Sequence, residues 1–347
     1  MNKTTLILLA LSGLLGLSVL WSLSVGAVDI SSGQVVSVFL QKLLDVSWMD
    51  FSDQQARVLM DIRFPRILFS VAIGGGLGIS GAAMQGLFRN PLVEPGLIGV
   101  SSGAALMAVL LIVFGSLLPA EIFEQWKNNL QPLVAFVGGL ITTLLVYRLS
   151  RRNGKTQVTL LILSGVAINA ILGASIGLAL YFADDQALRS YTFWSMGDLG
   201  GASWSKAGLS IPLVCVPALF LVFFYKPLNA LALGEAEAWH LGVSVEKVKY
   251  VIIGLSALSI GASVAVAGMI GFVGLVVPHI LRVTFGPNHQ LILPGSMITG
   301  ALLLNLADLF ARTVVAPSEI PIGIVTACIG GPFFLWLLMN VNQKRLV

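Results

Sequence analysis

The sequence predicts an all-α integral membrane protein with about ten transmembrane helices per subunit. Only 10% of the residues are charged and 56% are hydrophobic, and the mean hydropathy is +0.92. Soluble globular domains carry roughly 25% charged residues, so this chain has too little polar surface to coat a soluble particle. The same composition excludes a disordered chain, a disulfide scaffold and a nucleic-acid-binding protein. We expect one polytopic transmembrane domain over 1–347.

The spans follow from stretches that lack Asp, Glu, Lys and Arg. A spanning helix needs about 20 mostly apolar residues, and nine charge-free runs qualify. The run 250–281 would reach about 48 Å as one helix, and its glycines at 268, 271 and 274 mark a division. The predicted spans lie near 4–28, 66–88, 96–116, 130–149, 157–182, 205–225, 248–267, 270–284, 290–311 and 319–341.

The first run is expected to be a span and not a signal peptide. It is longer than the roughly 15 residues of a signal-peptide core, and no A-x-A cleavage site follows it. With both termini inside, the inner side carries twelve of the twenty basic residues and four acids, whereas the outer side carries eleven acids. This arrangement obeys the positive-inside rule. Without the division near Gly271, Lys344 and Arg345 would lie outside.

Two glycine patterns look like phosphate-binding loops, and neither has the required context. Gly76-x-Gly78-x-x-Gly81 lies inside an apolar span with no preceding strand, so close helix packing through Gly74 and Gly78 explains it better. Residues 154–156 resemble the end of a Walker A loop, but position 149 is leucine where that motif requires glycine. No motif for ATP binding is therefore found in this chain.

The segment 81–106 is the most informative stretch of the sequence. Asn90, Pro91, Glu94 and Pro95 stand between two apolar runs, which indicates a tight inner turn followed by a helix start rich in small residues. From these residues alone, an ordinary loop between spans is an equal alternative. The pattern N-P-L-x-x-P-G at 90–96, however, resembles the permease family of ABC importers for iron-siderophores, haem and cobalamin.

Other segments resemble the same family in the same order, and together they cover about 55–340. They include an R-x-P-R pattern at 63–66 and a cytoplasmic loop at 228–243, and they continue at 271–282, 293–312 and 319–334. The resemblance implies a permease that forms a homodimer around a central path in the bacterial inner membrane. It also implies two separate ATP-binding cassette subunits and a periplasmic substrate-binding protein as partners. ATP and Mg would act at the ATPase, so this chain would be no enzyme and would bind no cofactor.

The loop 228–243 reads as a short amphipathic helix between Gly234 and Gly242, with Trp239 and carboxylates exposed on the inner face. A linker helix lying at the membrane interface is the alternative. The resemblance makes this loop the ATPase-coupling loop, with Leu233, Gly234, Glu235, Glu237, Trp239, His240 and Gly242 as its residues.

Three arginines are expected on the outer side, against the general charge bias: Arg63, Arg66 and Arg312. The resemblance implies that they receive acidic residues from the two lobes of the binding protein, since opposed charges steer association. Headgroup anchoring is the alternative. The spacing of Asp308 and Arg312 predicts a local ion pair on one helix.

The resemblance also implies a cytoplasmic gate and a translocation path. The gate would involve Asn90 and Leu92 at the inner turn, together with Thr156 or Thr159 at the entry to the fifth span. The path would be formed by the fifth and tenth spans, which contain Ser164, Asn169, Ser175 and Thr326 among many glycines and alanines. A wall of small, weakly polar side chains would pass a bulky solute without holding it.

The outer segment 183–204 is the part of the chain that bears on the cargo. Asp184 and Asp185 begin a possible amphipathic helix, and Phe193, Trp194 and Trp204 add aromatic surface. An aromatic surface would suit a flat, apolar cargo, although it would equally suit an interfacial belt. Because this string looks most like the haem-importing branch of the family, we expect haem, then a ferric siderophore, then cobalamin.

The rival hypothesis from another class is an ion-coupled secondary transporter. That machinery usually requires ionisable residues within the spans, and Asp308 alone qualifies here. An intramembrane enzyme would need a paired acid, base or nucleophile in the spans, and none is found. The three histidines show no metal-ligand spacing, so no metal site is expected.

Overall fold

The computed structural model describes residues 2–117, 119 and 129–344, and within these ranges the chain is mainly helical. Arg345, which the sequence assigns to the inner side, lies outside the described residues. The α-helices are α1 (Lys3–Ser24), α2 (Ser32–Leu44), α3 (Asp53–Arg57), α4 (Phe64–Phe88), α5 (Val100–Phe114), α6 (Leu130–Leu149), α7 (Val158–Tyr181), α8 (Asp185–Ser195), α9 (Trp204–Val222), α10 (Tyr225–Leu233), α11 (Glu235–His240), α12 (Val245–Ala267), α13 (Val273–Phe285), α14 (His289–Thr313) and α15 (Ile322–Lys344).

Shorter elements connect some of these helices. A π-helical turn, Val58–Arg63, joins α3 to α4, and 3-10 turns lie at Pro95–Ile98 and Gly115–Leu117. One antiparallel hairpin, β1 (Arg151–Arg152) and β2 (Lys155–Thr156), pairs Arg151 with Thr156 and precedes α7.

The prediction of about ten spans is confirmed. Eight helical segments of the described chain are long and apolar enough to cross a membrane, and two shorter apolar helices, Val273–Phe285 and Ile322–Leu335, bring the total to ten. The predicted division of the seventh run is also correct. Helix α12 ends at Ala267, Gly268 adopts a φ of +71°, and α13 begins at Val273. At about 20 Å, α13 is too short to cross the hydrocarbon core alone.

Helix α4 lies at the centre of the bundle and is buried along almost its whole length. Its glycines face neighbouring backbones, as the sequence predicts for Gly74 and Gly78. A Cβ added to Gly74 would lie 2.3 Å from the carbonyl oxygen of Gly300 in α14. One added to Gly81 would lie 1.9 Å from the carbonyl oxygen of Gly274 in α13. These contacts set the positions of α13 and α14 against α4, because any side chain there would force the helices apart.

The spans predicted from the sequence do not include two outer helices, α2 and α3, which the structure places between α1 and α4. Each begins with a capping box, formed by Ser31 with Gln34 and by Ser52 with Gln55. In both boxes the serine accepts a hydrogen bond from the third backbone amide, and the glutamine accepts one from the serine amide. The outer face therefore carries ordered structure that the charge-free runs do not reveal.

Replacing Gly81 with alanine tests the backbone contact of α4 with α13. We expect Gly81→Ala to lower the apparent Tm of the chain in detergent, because overpacking of this kind costs about 1–3 kcal/mol or more. Gly254→Ala in α12 is the matched control, since an added Cβ meets nothing within 4 Å there. The control should leave Tm unchanged or raise it slightly. Equal shifts in the two variants would contradict this packing.

Candidate coupling and docking sites

The predicted coupling loop forms an exposed ridge on the inner side. Helices α10 and α11 meet at Gly234, whose φ of +136° favours glycine. A Cβ there would also lie 1.9 Å from the Glu237 carboxylate. Trp239 is 67% exposed, and Leu233 and Leu241 are exposed beside it. We call this set the coupling ridge, defined by Leu233, Trp239 and Leu241.

The remaining residues of the loop shape and border the coupling ridge. Ala238 is the one residue of α11 that is fully buried, so this short helix shows most of its surface to the inside. The His240 ring packs edge-on against Trp239 with centroids 5.0 Å apart. Gly242, with a φ of +82°, ends the loop before α12. A large apolar surface bordered by Glu237 and His240 is typical of a protein-docking site.

The outer arginines occupy different environments, and Arg63 is the least accessible. Its side chain is buried, and its guanidinium donates to the carbonyl oxygens of Leu23, Ser24 and Val28 at the end of α1. It holds the α1–α2 connection to the start of α4. The Arg63 guanidinium therefore donates inside the chain in this structure, and the expectation that it receives a partner's acidic residue stays a prediction.

Arg66 and Arg312 share one buried carboxylate, Asp308 of α14. The Arg66 Nη2 atom lies 2.9 Å from Asp308 Oδ1, and its Nη1 atom donates to Glu319 Oε1 at 2.9 Å. Arg312 Nε lies 3.8 Å from Asp308 Oδ2, so the ion pair predicted within α14 is present but is the longer of the two. Asp308 is fully buried, whereas Glu319 is exposed.

Arg312 also connects α14 to α1. Its guanidinium donates to the carbonyl oxygens of Ser22 and Val25 and to the Ser22 hydroxyl. Like Arg63 it therefore caps the outer end of α1, whose last carbonyls have no helical partner. The cluster of Arg63, Arg66, Arg312, Asp308 and Glu319 joins α1, α4, α14 and the segment before α15.

The predicted gate residues differ in how exposed they are. Asn90 and Leu92 are exposed at the inner turn, where Asn90 Oδ1 accepts a hydrogen bond from the Leu92 amide at 3.0 Å. Thr159 is exposed in the first turn of α7. Thr156 is buried in β2, and its amide donates to Glu246 Oε2 at 2.9 Å. Thr156 is therefore covered in this structure, and its role in the gate stays a prediction.

The same turn contains Glu94, which the sequence reasoning did not single out as a site residue. Its carboxylate accepts a hydrogen bond from the Phe272 amide at 3.4 Å, at the start of α13. Burial raises the pKa of the Glu94 carboxyl, and this hydrogen bond opposes the rise. Phe272 has a φ of +68°, which is rare for a bulky residue and marks a constrained junction.

The predicted path residues lie mostly on α7. Ser164, Asn169 and Ser175 are partly exposed, and Asn169 Nδ2 donates to the carbonyl oxygen of Gly96 at 3.3 Å. Thr326 of α15 is only 3% exposed and borders a small internal space with Phe272 and Val276. Thr326 does not lie on an open surface in this structure, and its role in the path wall stays a prediction.

The outer segment 183–204 forms helix α8 and one wall of a cavity. The helix begins at Asp185, and Asp184 caps it by accepting from the Ala187 amide at 2.7 Å, as the two aspartates predict. The cavity has a volume of about 560 Å³. Its lining includes Phe193, Trp194, Asp198, Lys206 and Glu319. Trp204 is used differently: its Nε1 atom donates to the Met60 carbonyl at 2.8 Å, and its ring packs against Phe64.

The backbone of the loop after α8 is hydrogen-bonded to two spans, α12 and α15. The Asp198 amide donates to the Ala267 carbonyl at the end of α12, and the Gly323 amide at the start of α15 donates to the Met196 carbonyl. The Ile322 amide likewise donates to Gly197. Side chains at 193, 194 and 198 are therefore presented to the cavity from a fixed backbone.

Metal binding finds no support among the described residues, where no group of three or more His, Cys, Asp or Glu side chains converges on a possible metal site. His289 is buried, and its Nδ1 atom lies 2.9 Å from Asn229 Oδ1 in α10. This contact links the turn before α14 to the helix preceding the coupling ridge.

The chain is similar to membrane permeases over almost its whole length. A model of the FecCD transport family matches residues 14–340. The chain is 44% identical over 294 residues to the hemin transport system permease protein HmuU of Yersinia pestis, covering 85% of this chain and 86% of that protein. It is 40% identical over 336 residues to the vitamin B12 import system permease protein BtuC of Escherichia coli, covering 97% and 95%.

A solved structure shows the same architecture. An inward-facing conformation of a metal-chelate type ABC transporter matches with a TM-score of 0.82 and 33% sequence identity, covering 96% of this chain and 99% of that chain.

The two acidic partners of Arg66 should contribute very differently to stability. Asp308→Asn removes the carboxylate that the largely buried guanidinium groups of Arg66 and Arg312 share. Loss of such a partner typically costs about 3–5 kcal/mol. Glu319→Gln removes an exposed partner and should cost less than about 1 kcal/mol. Thermal unfolding of both variants in detergent measures the difference. A Glu319→Gln variant as unstable as Asp308→Asn would contradict the central role of Asp308.

Proposed function

The chain belongs to the FecCD transport family, and we propose that its cargo is haem. It is a multi-pass permease subunit of an ABC importer, a class in which a separate ATPase supplies the energy. The observation that carries the haem proposal is the 44% identity to a hemin permease over 85% of this chain. The aromatic wall of the outer cavity at Phe193 and Trp194 suits a flat, apolar solute. The 40% identity to a vitamin B12 permease keeps cobalamin as an alternative, with a ferric siderophore as another.

A second copy of the chain would complete the path. Helix α7 exposes Leu163, Val166 and Ile171, as a lipid-facing helix also would. Unlike a typical lipid-facing surface, however, α7 also carries two glycines one turn apart, Gly173 and Gly177, beside which nothing lies within 4 Å. Small residues on an open helix face allow another helix to approach closely. We therefore place α7 at a homodimer interface in the inner membrane, facing the central path.

Two ATP-binding cassette subunits would dock on the coupling ridges of this dimer. Trp239 is a large exposed aromatic at the centre of the ridge, and aromatic side chains dominate the energetics of protein interfaces. ATP and Mg would be bound by those subunits, and this chain would supply the movement of its coupling ridge and no catalytic group.

A periplasmic binding protein would dock on the opposite face, near the outer cavity. Arg66 remains the best candidate for an acidic partner, because its bond to the exposed Glu319 is open to competition. Arg312 is less suited, since it donates to Ser22 and Val25. An ion-coupled secondary transporter is disfavoured because Asp308, the one acid within the predicted spans, is already paired with Arg66.

Removing the aromatic centre of the coupling ridge should release the ATPase. We expect Trp239→Ala to reduce the amount of ATPase subunit that co-purifies with the chain by about tenfold or more, as for an interface hot spot. Trp48→Ala is the matched control, because Trp48 is similarly exposed, at 70% against 67%, but lies on the outer side. Unchanged co-purification of Trp239→Ala would contradict docking at this ridge.

Growth of an iron-starved strain that lacks the chain tests the cargo. We expect no growth when haem is the iron source, full growth on ferric siderophores, and recovery on haem when the intact chain is restored. Normal growth on haem with failure on one siderophore would overturn the haem proposal and leave the permease role intact. The absence of any iron-dependent defect would favour cobalamin, tested by growth that depends on it.

A further inference from the structure

Lys249 is a buried lysine at the inner end of α12, directly behind the coupling ridge. It is 3% exposed, although it lies only four residues after the start of the helix. A lysine is rarely so buried unless its ammonium is fully paired. The function described above assigns it no role.

The ammonium group has three acceptors, one for each of its protons. The Nζ atom lies 2.9 Å from Glu235 Oε2, 3.2 Å from Glu246 Oε1 and 2.9 Å from the carbonyl oxygen of Thr156. Glu246 in turn accepts from the Thr156 amide through its other carboxylate oxygen. Both backbone polar groups of Thr156 are thus bound to this network, which we call the Lys249 node: Lys249, Glu235, Glu246 and Thr156.

The Lys249 node joins three elements that are separate in the sequence. Glu235 is the first residue of α11, which carries Trp239. Glu246 and Lys249 lie in the first turns of α12. Thr156 is the last residue of β2, two residues before α7 begins.

Helix α11 has few other attachments to the body of the chain. It is six residues long, and Ala238 is its one fully buried residue. Its start is a glycine junction, which does not by itself define a direction. Charge-assisted hydrogen bonds are short and strong, and they fix distance as well as sign. The Glu235–Lys249 bond therefore links the position of α11 to that of β2, and through β2 to α7.

We propose that Lys249 is a positioning residue that transmits movement of the coupling helix α11 to the hairpin and thus to α7. When the ATPase displaces Trp239, Glu235 moves with α11 and pulls Lys249 through their hydrogen bond. Lys249 in turn moves Thr156, which lies just before α7. This inference rests on the proposed ATPase docking at the coupling ridge. It adds a specific connection through which that docking would act on the path.

Hydrogen exchange in the complex with its ATPase tests the transmission without reference to any cargo. In the wild type we expect ATP to change amide exchange in two segments, 235–242 and 151–157. In Lys249→Met, ATP should still change 235–242 but should leave 151–157 unaffected. Lys247→Met, an exposed neighbour on the same helix, is the control and should behave as the wild type.

The variant is expected to fold, because Glu235 and Glu246 are partly exposed and can be hydrated once the ammonium is removed. Without ATP, the amides of 151–157 should also exchange about tenfold faster in Lys249→Met, because the Thr156 carbonyl loses the ammonium group that holds the hairpin in place. If Lys249→Met does not assemble with the ATPase, Glu235→Gln takes its place, since it keeps the side-chain shape and removes the charge that binds α11 to Lys249. An ATP response of 151–157 in that variant equal to the wild type would overturn the proposal.

Transport provides a second readout that a merely structural lysine would not move. In proteoliposomes, Lys249→Met should keep ATP hydrolysis but import about tenfold less cargo per ATP, whereas Lys249→Arg, which keeps the charge, should recover part of the import. If the wild type imports cobalamin or a siderophore and not haem, the cargo proposal fails while this comparison stands. Equal cargo per ATP in Lys249→Met and wild type, or no ATP response at 151–157 in the wild type, would overturn the role of Lys249.

Discussion

The close approach of backbones around α4 is the constraint on which the arrangement of the inner half depends. Lipid offers no hydrophobic drive for helices to associate, so their packing relies on small residues and on internal hydrogen bonds. Gly81 brings α4 against Gly274, and Gln85 one turn later donates to the carbonyl oxygen of Leu275. These contacts hold the start of α13, and with it Phe272, against the inner turn at Glu94. The turn is thus positioned by α4 on one side and by α13 on the other.

The outer half is held together by charge, in a region where charge is costly to bury. Asp308 contacts the guanidinium groups of Arg66 and Arg312. Arg63 and Arg312 also donate hydrogen bonds to backbone carbonyls at the end of α1. Those carbonyls have no helical partner, so the hydrogen bonds from the arginines remove a desolvation cost. Arg312 Nε itself has no hydrogen-bond acceptor within the described part of the chain. Glu319 is the exposed edge of this arrangement. The guanidinium groups of Arg66 and Arg312 are therefore already paired within the chain.

The spans were predictable from sequence because membrane thickness fixes their length and because charges rarely enter them. The exposed coupling helix was predictable as well, since its glycines and its single tryptophan are local signals. The partners of the buried charged side chains were not predictable from the sequence. Sequence spacing favoured the pair Asp308–Arg312, whereas the shorter bond joins Arg66 to Asp308, 242 positions away. The burial of Arg63, Thr156 and Thr326 was not predictable for the same reason: periodicity places a residue on an element but does not reveal which long-range neighbour covers it.

The backbone hydrogen bonds of the loop after α8 separate the position of this loop from the chemistry of the cavity wall. Backbone bonds at Met196, Gly197 and Asp198 anchor this loop to α12 and α15 independently of which side chains it carries. Glycine at 268 is required where the Trp194 carbonyl passes, and Gly323 has a similar duty against Met196. Substitutions at 193 and 194 would therefore alter this wall of the cavity without breaking the backbone bonds that hold the loop. Asp198 is less exchangeable, because its side chain accepts a hydrogen bond from the Gly200 amide. The shape and polarity of the wall can thus change while α12 and α15 keep their positions.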